Sequence, residues 1–69
     1  MIDLYPKIRE WLDGHGHSGM PPECIMAARD AIRAGESLDT HLARRGLTNR
    51  EHYNYAALTE AVVEIGSRK

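Results

Sequence analysis

The sequence lacks the cysteines that would cross-link a small domain. Its 69 residues include one cysteine, Cys24, so no disulfide can form within the chain. The core of so short a chain contributes only a few kcal/mol, and such chains commonly need a metal, a partner subunit or efficient helix packing. No repeat, low-complexity tract or long linker divides the sequence. We therefore expect a single domain over residues 1–69.

Long apolar runs are also missing. No stretch approaches the roughly 20 apolar residues that a membrane-spanning helix needs. The first residues, MIDLYPKIRE, lack the apolar core of a secretory signal peptide. We expect a cytoplasmic protein, and apolar residues at 42% of the chain are too many for a disordered one.

Neither sign of charge dominates. The chain has 9 Lys or Arg residues and 10 Asp or Glu residues, and its formal net charge is −1. Affinity for nucleic acid or for an anionic membrane depends on an excess of positive charge. The balance argues against a membrane partner and makes nucleic acid a less favoured one.

Apolar residues recur at helical spacing in four segments. The first covers about Asp3 to Asp13, and the second begins at Pro22, which fits a first helical position, and ends at Gly35. The apolar side of the first contains Leu4, Tyr5, Ile8, Trp11 and Leu12. The second has a face of mostly small side chains: Cys24, Ile25, Ala28, Ala31 and Ile32. Small side chains predict that another helix approaches closely.

The third and fourth helices are predicted from their caps. Ser37 is an N-cap for a short third helix, which Gly46 ends. The letters TNRE at 48–51 form a capping box, which predicts a fourth helix from Thr48 to about Ile65. Its main apolar face contains Tyr55, Leu58, Ala61, Val62 and Ile65. We expect an all-α domain of four helices, two longer and two shorter, with the fourth at the centre.

A second apolar line on the fourth helix predicts a homodimer. Its residues follow heptad-like spacing: His52, Ala56, Thr59 and Val63. A helix that is apolar on two sides is buried on two sides, and in so small a chain another copy is the expected cover. The alternative is that the short third helix covers this line within one chain.

No set of residues indicates a reaction or a cofactor. His15 and His17 could begin a zinc site with Cys24, His41 or His52, but the paired ligand spacing is absent, and we expect them on a connector, with Met20 exposed beside them. Cys24 lies on an apolar helix face, where cysteine packs as a hydrophobic residue. Because no phosphate-binding loop, carboxylate pair or serine elbow is present, we expect no enzyme, metal or cofactor.

One segment resembles a helix-turn-helix. SLDTHLARRGLTNREHYNYAAL would offer to base edges the residues Asn49, Arg50, His52, Tyr53 and Asn54, with Arg44 and Arg45 near phosphates. The interval from Ala43 to Gly46 is one residue shorter than the usual pattern, and no strand supplies the ribbon of a ribbon-helix-helix protein. A small DNA-binding transcriptional regulator is therefore the alternative function.

The favoured function is protein binding. Met26 stands with Arg29 and Arg33 on the polar side of the second helix, as an adaptable apolar contact. Near the turn at 46–48 lie further residue types that are enriched in interface anchors: Arg44, Arg45, Arg50 and Tyr53. We expect these seven residues to bind a partner.

In size, helical layout and the Ala/Arg/Gly-rich stretch IMAARDAIRAGESLDTHLARRGL, the chain resembles the anti-quorum-sensing proteins of Pseudomonas phages. This resemblance implies a small phage-encoded inhibitor that binds a host quorum-sensing transcriptional activator and a pilus-assembly ATPase. It assigns no role to any residue.

Overall fold

A computed structural model describes residues 3–49 and 53–67. Within these ranges the chain forms four α-helices and no strand, which confirms the all-α prediction. The helices are α1 (Leu4–Gly14), α2 (Pro22–Ala34), α3 (Leu38–Arg44) and α4 (Tyr55–Gly66). Three of these helices are similar in length: α1 has 11 residues, α2 has 13 and α4 has 12. The helix α3 is short, with 7 residues.

Side-chain caps and a proline begin the first three helices. The Asp3 carboxylate accepts a hydrogen bond from the Tyr5 amide at 3.0 Å, and the Ser37 hydroxyl accepts one from the Thr40 amide at 3.2 Å. Pro22 occupies the first turn of α2, where a missing N–H costs nothing. Each start falls where the sequence predicts it, to within one residue.

Glycines in the left-handed conformation end α2 and α3. Gly35 has φ 68° and Gly46 has φ 73°, values that favour glycine because it has no Cβ. After Gly46 the Leu47 amide donates to the Leu42 carbonyl at 2.8 Å, and Leu47 packs against the core. Such an apolar contact commonly follows a helix that ends in a left-handed glycine.

The start of α4 was predicted wrongly. Tyr53 and Asn54 form a turn, and the Asn54 side chain accepts from the Ala57 amide at 3.1 Å, so Asn54 caps α4 and no continuous helix runs from Thr48. Arg50 and Glu51, in the predicted capping box, lie outside the described residues. The Tyr53 hydroxyl donates to the Leu47 carbonyl at 2.8 Å, a contact that holds Tyr53 next to Leu47, directly before the Asn54 cap.

The central helix is α2 rather than α4, contrary to the prediction. It packs against α1, α3 and α4, whereas α3 packs mainly on α2. Its small residues Ala27, Ala28 and Ala31 are buried and let neighbouring helices approach from several sides. The largest fully buried side chains are Ile25 of α2 itself and, from the neighbouring helices, Ile8, Leu12 and Leu58. Within the described residues, no helix is long and apolar enough to cross a membrane.

Candidate functional site

One side of α2, with the end of α3, carries most of the predicted contact residues. We call this surface the arginine face and define it as Met26, Arg29, Asp30, Arg33 and Arg45. The first four recur at i, i+3, i+4 and i+7, so they lie on one side of α2. Met26, Arg29 and Asp30 are half-buried, and Arg33 is exposed. The opposite side of α2 is buried in the core.

Asp30 holds two arginines of this face. Arg29 Nε donates to Asp30 Oδ1 at 3.0 Å, and Arg45 Nη2 donates to Asp30 Oδ2 at 2.8 Å. The side chain of Arg29 is 24% exposed, that of Asp30 is 29% exposed and that of Arg45 is 33% exposed. Because Arg29 and Asp30 belong to α2 and Arg45 follows α3, the cluster joins the two helices.

Burial by itself would raise the pKa of the Asp30 carboxyl. The hydrogen bonds from Arg45 and Arg29, together with their positive charges, outweigh burial and hold the pKa below its ordinary value. Asp30 is therefore ionised near neutral pH, and the cluster consists of two cations that share one anion.

Arg44 belongs to a different cluster. Its Nη1 lies 3.4 Å from Glu36 Oε1, which also bonds His41 Nε2 at 3.0 Å. The hydrogen bond from His41 and the charge of Arg44 hold the pKa of the Glu36 carboxyl below its ordinary value. Since an ionised carboxylate can only accept, His41 Nε2 carries the proton of this bond. The sequence does not predict this bond to the buried His41.

Arg33 extends toward the start of α1. Its Nη2 lies 3.9 Å from the Asp3 carboxylate, and the two side chains are 43% and 62% exposed. An ion pair this long and exposed contributes little free energy, because water and salt screen it. Arg33 therefore stands on the arginine face without a strong internal partner.

Tyr53 does not belong to this surface, contrary to the prediction. It is buried and donates its hydroxyl hydrogen to the Leu47 carbonyl. Arg50, the other residue predicted near this turn, lies outside the described residues.

The helix-turn-helix layout also differs from the prediction. Asn49, Tyr53 and Asn54 all precede α4, and Asn54 uses its side chain as the cap. They are therefore not on the first turn of a helix that could enter a DNA groove. Arg50 and His52, which completed the predicted set, lie outside the described residues.

The connector between α1 and α2 is tied down at several points. The His15 ring stacks on Trp11 with centroids 3.8 Å apart, and its Nδ1 lies 2.7 Å from the Trp11 carbonyl. His17 Nδ1 lies 3.4 Å from Asn54 Nδ2. Met20 is buried, so the expectation that it is exposed was wrong. A cavity of about 210 Å³ lies here, lined by His17, Gly19, Met20 and Asn54.

Two features bear on the chemistry of the chain. Among residues 3–49 and 53–67, no three His, Cys, Asp or Glu side chains come close enough to hold a metal ion. Cys24 is fully buried, and burial, followed by the charge of Glu23, raises the pKa of its thiol. A protonated thiol in the core packs as a hydrophobic side chain, as the sequence indicated.

The predicted dimer line on α4 faces outward. Ala56 is exposed, Thr59 is half-buried, and Val63 is 64% exposed. The Thr59 hydroxyl donates to the Tyr55 carbonyl at 2.9 Å, so its polar atom is satisfied within the helix. In the described part of the chain, neither α3 nor another segment covers these side chains, and His52 lies outside it.

No protein family model, curated protein or solved structure matches this chain.

Proposed function

We propose that this chain is a non-enzymatic inhibitor that binds a regulatory protein of its host through the arginine face. The observation that carries the proposal is the Asp30 cluster: two arginines are held by one carboxylate beside the half-buried Met26. Binding anchors are commonly arginines in a fixed position next to an apolar contact. The chain inhibits the regulator when the arginine face covers a surface that the regulator uses for its own activity.

The resemblance to anti-quorum-sensing phage proteins suggests the class of target. On this basis the regulator is a transcriptional activator, and the chain acts in the cytoplasm of the host cell as a phage-encoded protein. Its mechanism is steric or conformational blocking. Arg44, the last residue of α3, pairs with Glu36 and directly precedes Arg45, and we expect it to contribute to the same contact.

We further propose that the chain forms a homodimer through α4. The exposed apolar side chains of Ala56 and Val63, with the half-buried Thr59 between them, support this, because a second copy would remove their apolar surface from water. The arginine face belongs to α2 and the end of α3, so a dimer through α4 leaves it open to a partner.

The test is an affinity capture from an extract of the host cell. The wild-type chain is compared with Met26→Asp, which places a negative charge on the arginine face one turn before Arg29 and Asp30, and with Val63→Asp, which places the same charge on α4. We expect the wild type and Val63→Asp to retain one host protein, and Met26→Asp to bind it at least about tenfold more weakly, equivalent to about 1.4 kcal/mol.

Equal retention by Met26→Asp would contradict the proposal. So would a mobility shift of random duplex DNA at low salt with a steep loss as salt rises, because that result identifies a DNA-binding regulator.

A further inference from the structure

We propose that the arginine face recognises an acidic amphipathic protein segment. One of its carboxylates would share Arg29 and Arg45 with Asp30, and an apolar side chain would lie against Met26. This inference rests on the proposed protein-binding function and adds the chemistry of the partner.

The charges of the cluster favour a second anion. Asp30 neutralises one of the two cations, which leaves one net positive charge on the cluster. Each guanidinium has five N–H groups, and among the described residues Arg29 donates through Nε and Arg45 through Nη2. The remaining N–H groups can donate to a carboxylate in a paired geometry that arginine favours.

The cluster is also arranged before the partner arrives. A long arginine side chain normally loses rotamer freedom when it binds, which opposes association. Here Asp30 already bonds both guanidinium groups, and the three side chains are two thirds or more buried. Much of that loss therefore occurs during folding rather than during binding.

Met26 decides between the classes of anionic partner. It lies one turn before Arg29 and Asp30 on the same side of α2 and is half-buried. An acidic protein segment can place an apolar side chain one turn from a carboxylate, and it then contacts Met26 and the arginines together. A nucleic-acid backbone alternates phosphates with polar sugars and has no apolar side chain to place against Met26.

The experiment uses a short synthetic helical peptide built of glutamate and leucine, titrated into the isotopically labelled full chain. The matching lysine–leucine peptide is the control. We expect the acidic peptide to shift the Met26 methyl signal and the side-chain N–H signals of Arg29 and Arg45, and the basic peptide to leave them unchanged. Arg29→Gln should weaken binding at least fivefold. Arg9→Gln, which removes an exposed arginine paired with Asp13 on α1, should not weaken it.

Asp30→Asn distinguishes two explanations of binding: recognition by arginines that Asp30 holds in place, and attraction by positive charge alone. This variant increases the positive charge of the face but removes the carboxylate that arranges the two arginines. We expect weaker binding than wild type, whereas charge attraction alone would give tighter binding. Arg45→Lys tests the same point if Asp30→Asn does not fold, because it keeps the charge and loses the guanidinium.

Binding that is unchanged or tighter in these variants, or shifts confined to another surface, would overturn the inference. If the peptide does not bind but Met26→Asp still loses the host protein, the chemistry of the partner is wrong and the proposed function stands. If Met26→Asp also retains the host protein, both are wrong.

Discussion

At the scale of single residues, Asp30 organises the surface. It accepts hydrogen bonds from Arg29 on its own helix and from Arg45, which follows α3. These contacts fix the positions of two long side chains that would otherwise adopt many rotamers. The sequence predicts both arginines as contact residues because of their type and their place on polar segments. It does not predict their pairing, since Asp30 and Arg45 stand 15 residues apart and meet only after α2 and α3 pack.

The two lowered carboxyl pKa values predict a loss of stability in acid. Asp30 and Glu36 have folded-state pKa values below their ordinary ones, so they stabilise the fold fully above the unfolded values near pH ~4. That contribution is lost as the pH falls through the lower folded values. We expect the melting temperature to fall below about pH 4, and to fall less steeply in Asp30→Asn.

Thermal unfolding followed by circular dichroism between neutral and acid pH measures this effect. Glu10→Gln, which removes an exposed carboxylate on α1, is the control and should keep the wild-type slope. An unchanged slope in Asp30→Asn would show that its ion pairs do not stabilise the fold.

At the scale of helices, local signals predict α2 well and the start of α4 poorly. Pro22 and Gly35 mark the two ends of α2 clearly. Proline fits the first turn of a helix, and glycine readily adopts the left-handed φ that ends this helix at Gly35. Before α4, Thr48 and Asn54 are both good N-caps by type. The choice between them depends on contacts distant in sequence, such as the bond from the Tyr55 hydroxyl to the Asp39 carboxylate.

Asn54→Ala should destabilise the protein by about 1 kcal/mol, the usual loss for an N-cap side chain. The reason is that the amide of Ala57 loses its acceptor. Thr48→Ala removes the competing cap and should change the free energy of unfolding by less than about 0.5 kcal/mol. Urea denaturation of the two variants measures both values. A larger effect for Thr48→Ala than for Asn54→Ala would place the helix start at Thr48 after all.

At the scale of the whole molecule, the chain shows two outward surfaces on different helices. The arginine face is charged and organised by Asp30, and the α4 line is small and apolar, with Val63 as its most exposed large side chain. The small size of the chain and its composition predict a partner. The packing of α2 against the other three helices determines which residues remain at the surface to contact that partner. The sequence predicts α4 at the centre because α4 has two apolar lines. The burial of α2 depends largely on alanines, which give a weaker apolar signal than larger side chains do.

The α4 line predicts a weak dimer. Stable interfaces bury about 1,200–2,000 Å² in total, and alanine, threonine and valine side chains supply only part of that area. We expect sedimentation velocity to show a dimer that forms as concentration rises, and Val63→Arg to remain monomeric. Ala34→Arg, at an exposed position that ends α2, should dimerise as wild type does. A parent chain that stays monomeric throughout would remove the argument for this interface.

Calorimetry on the captured host protein measures directly whether the arginine face binds it. The dissociation constants of the wild type, Met26→Asp and Val63→Asp are measured under the same conditions. We expect Met26→Asp to bind about tenfold more weakly or worse, and Val63→Asp to bind with an unchanged dissociation constant. Equal constants for Met26→Asp and wild type would contradict the proposal.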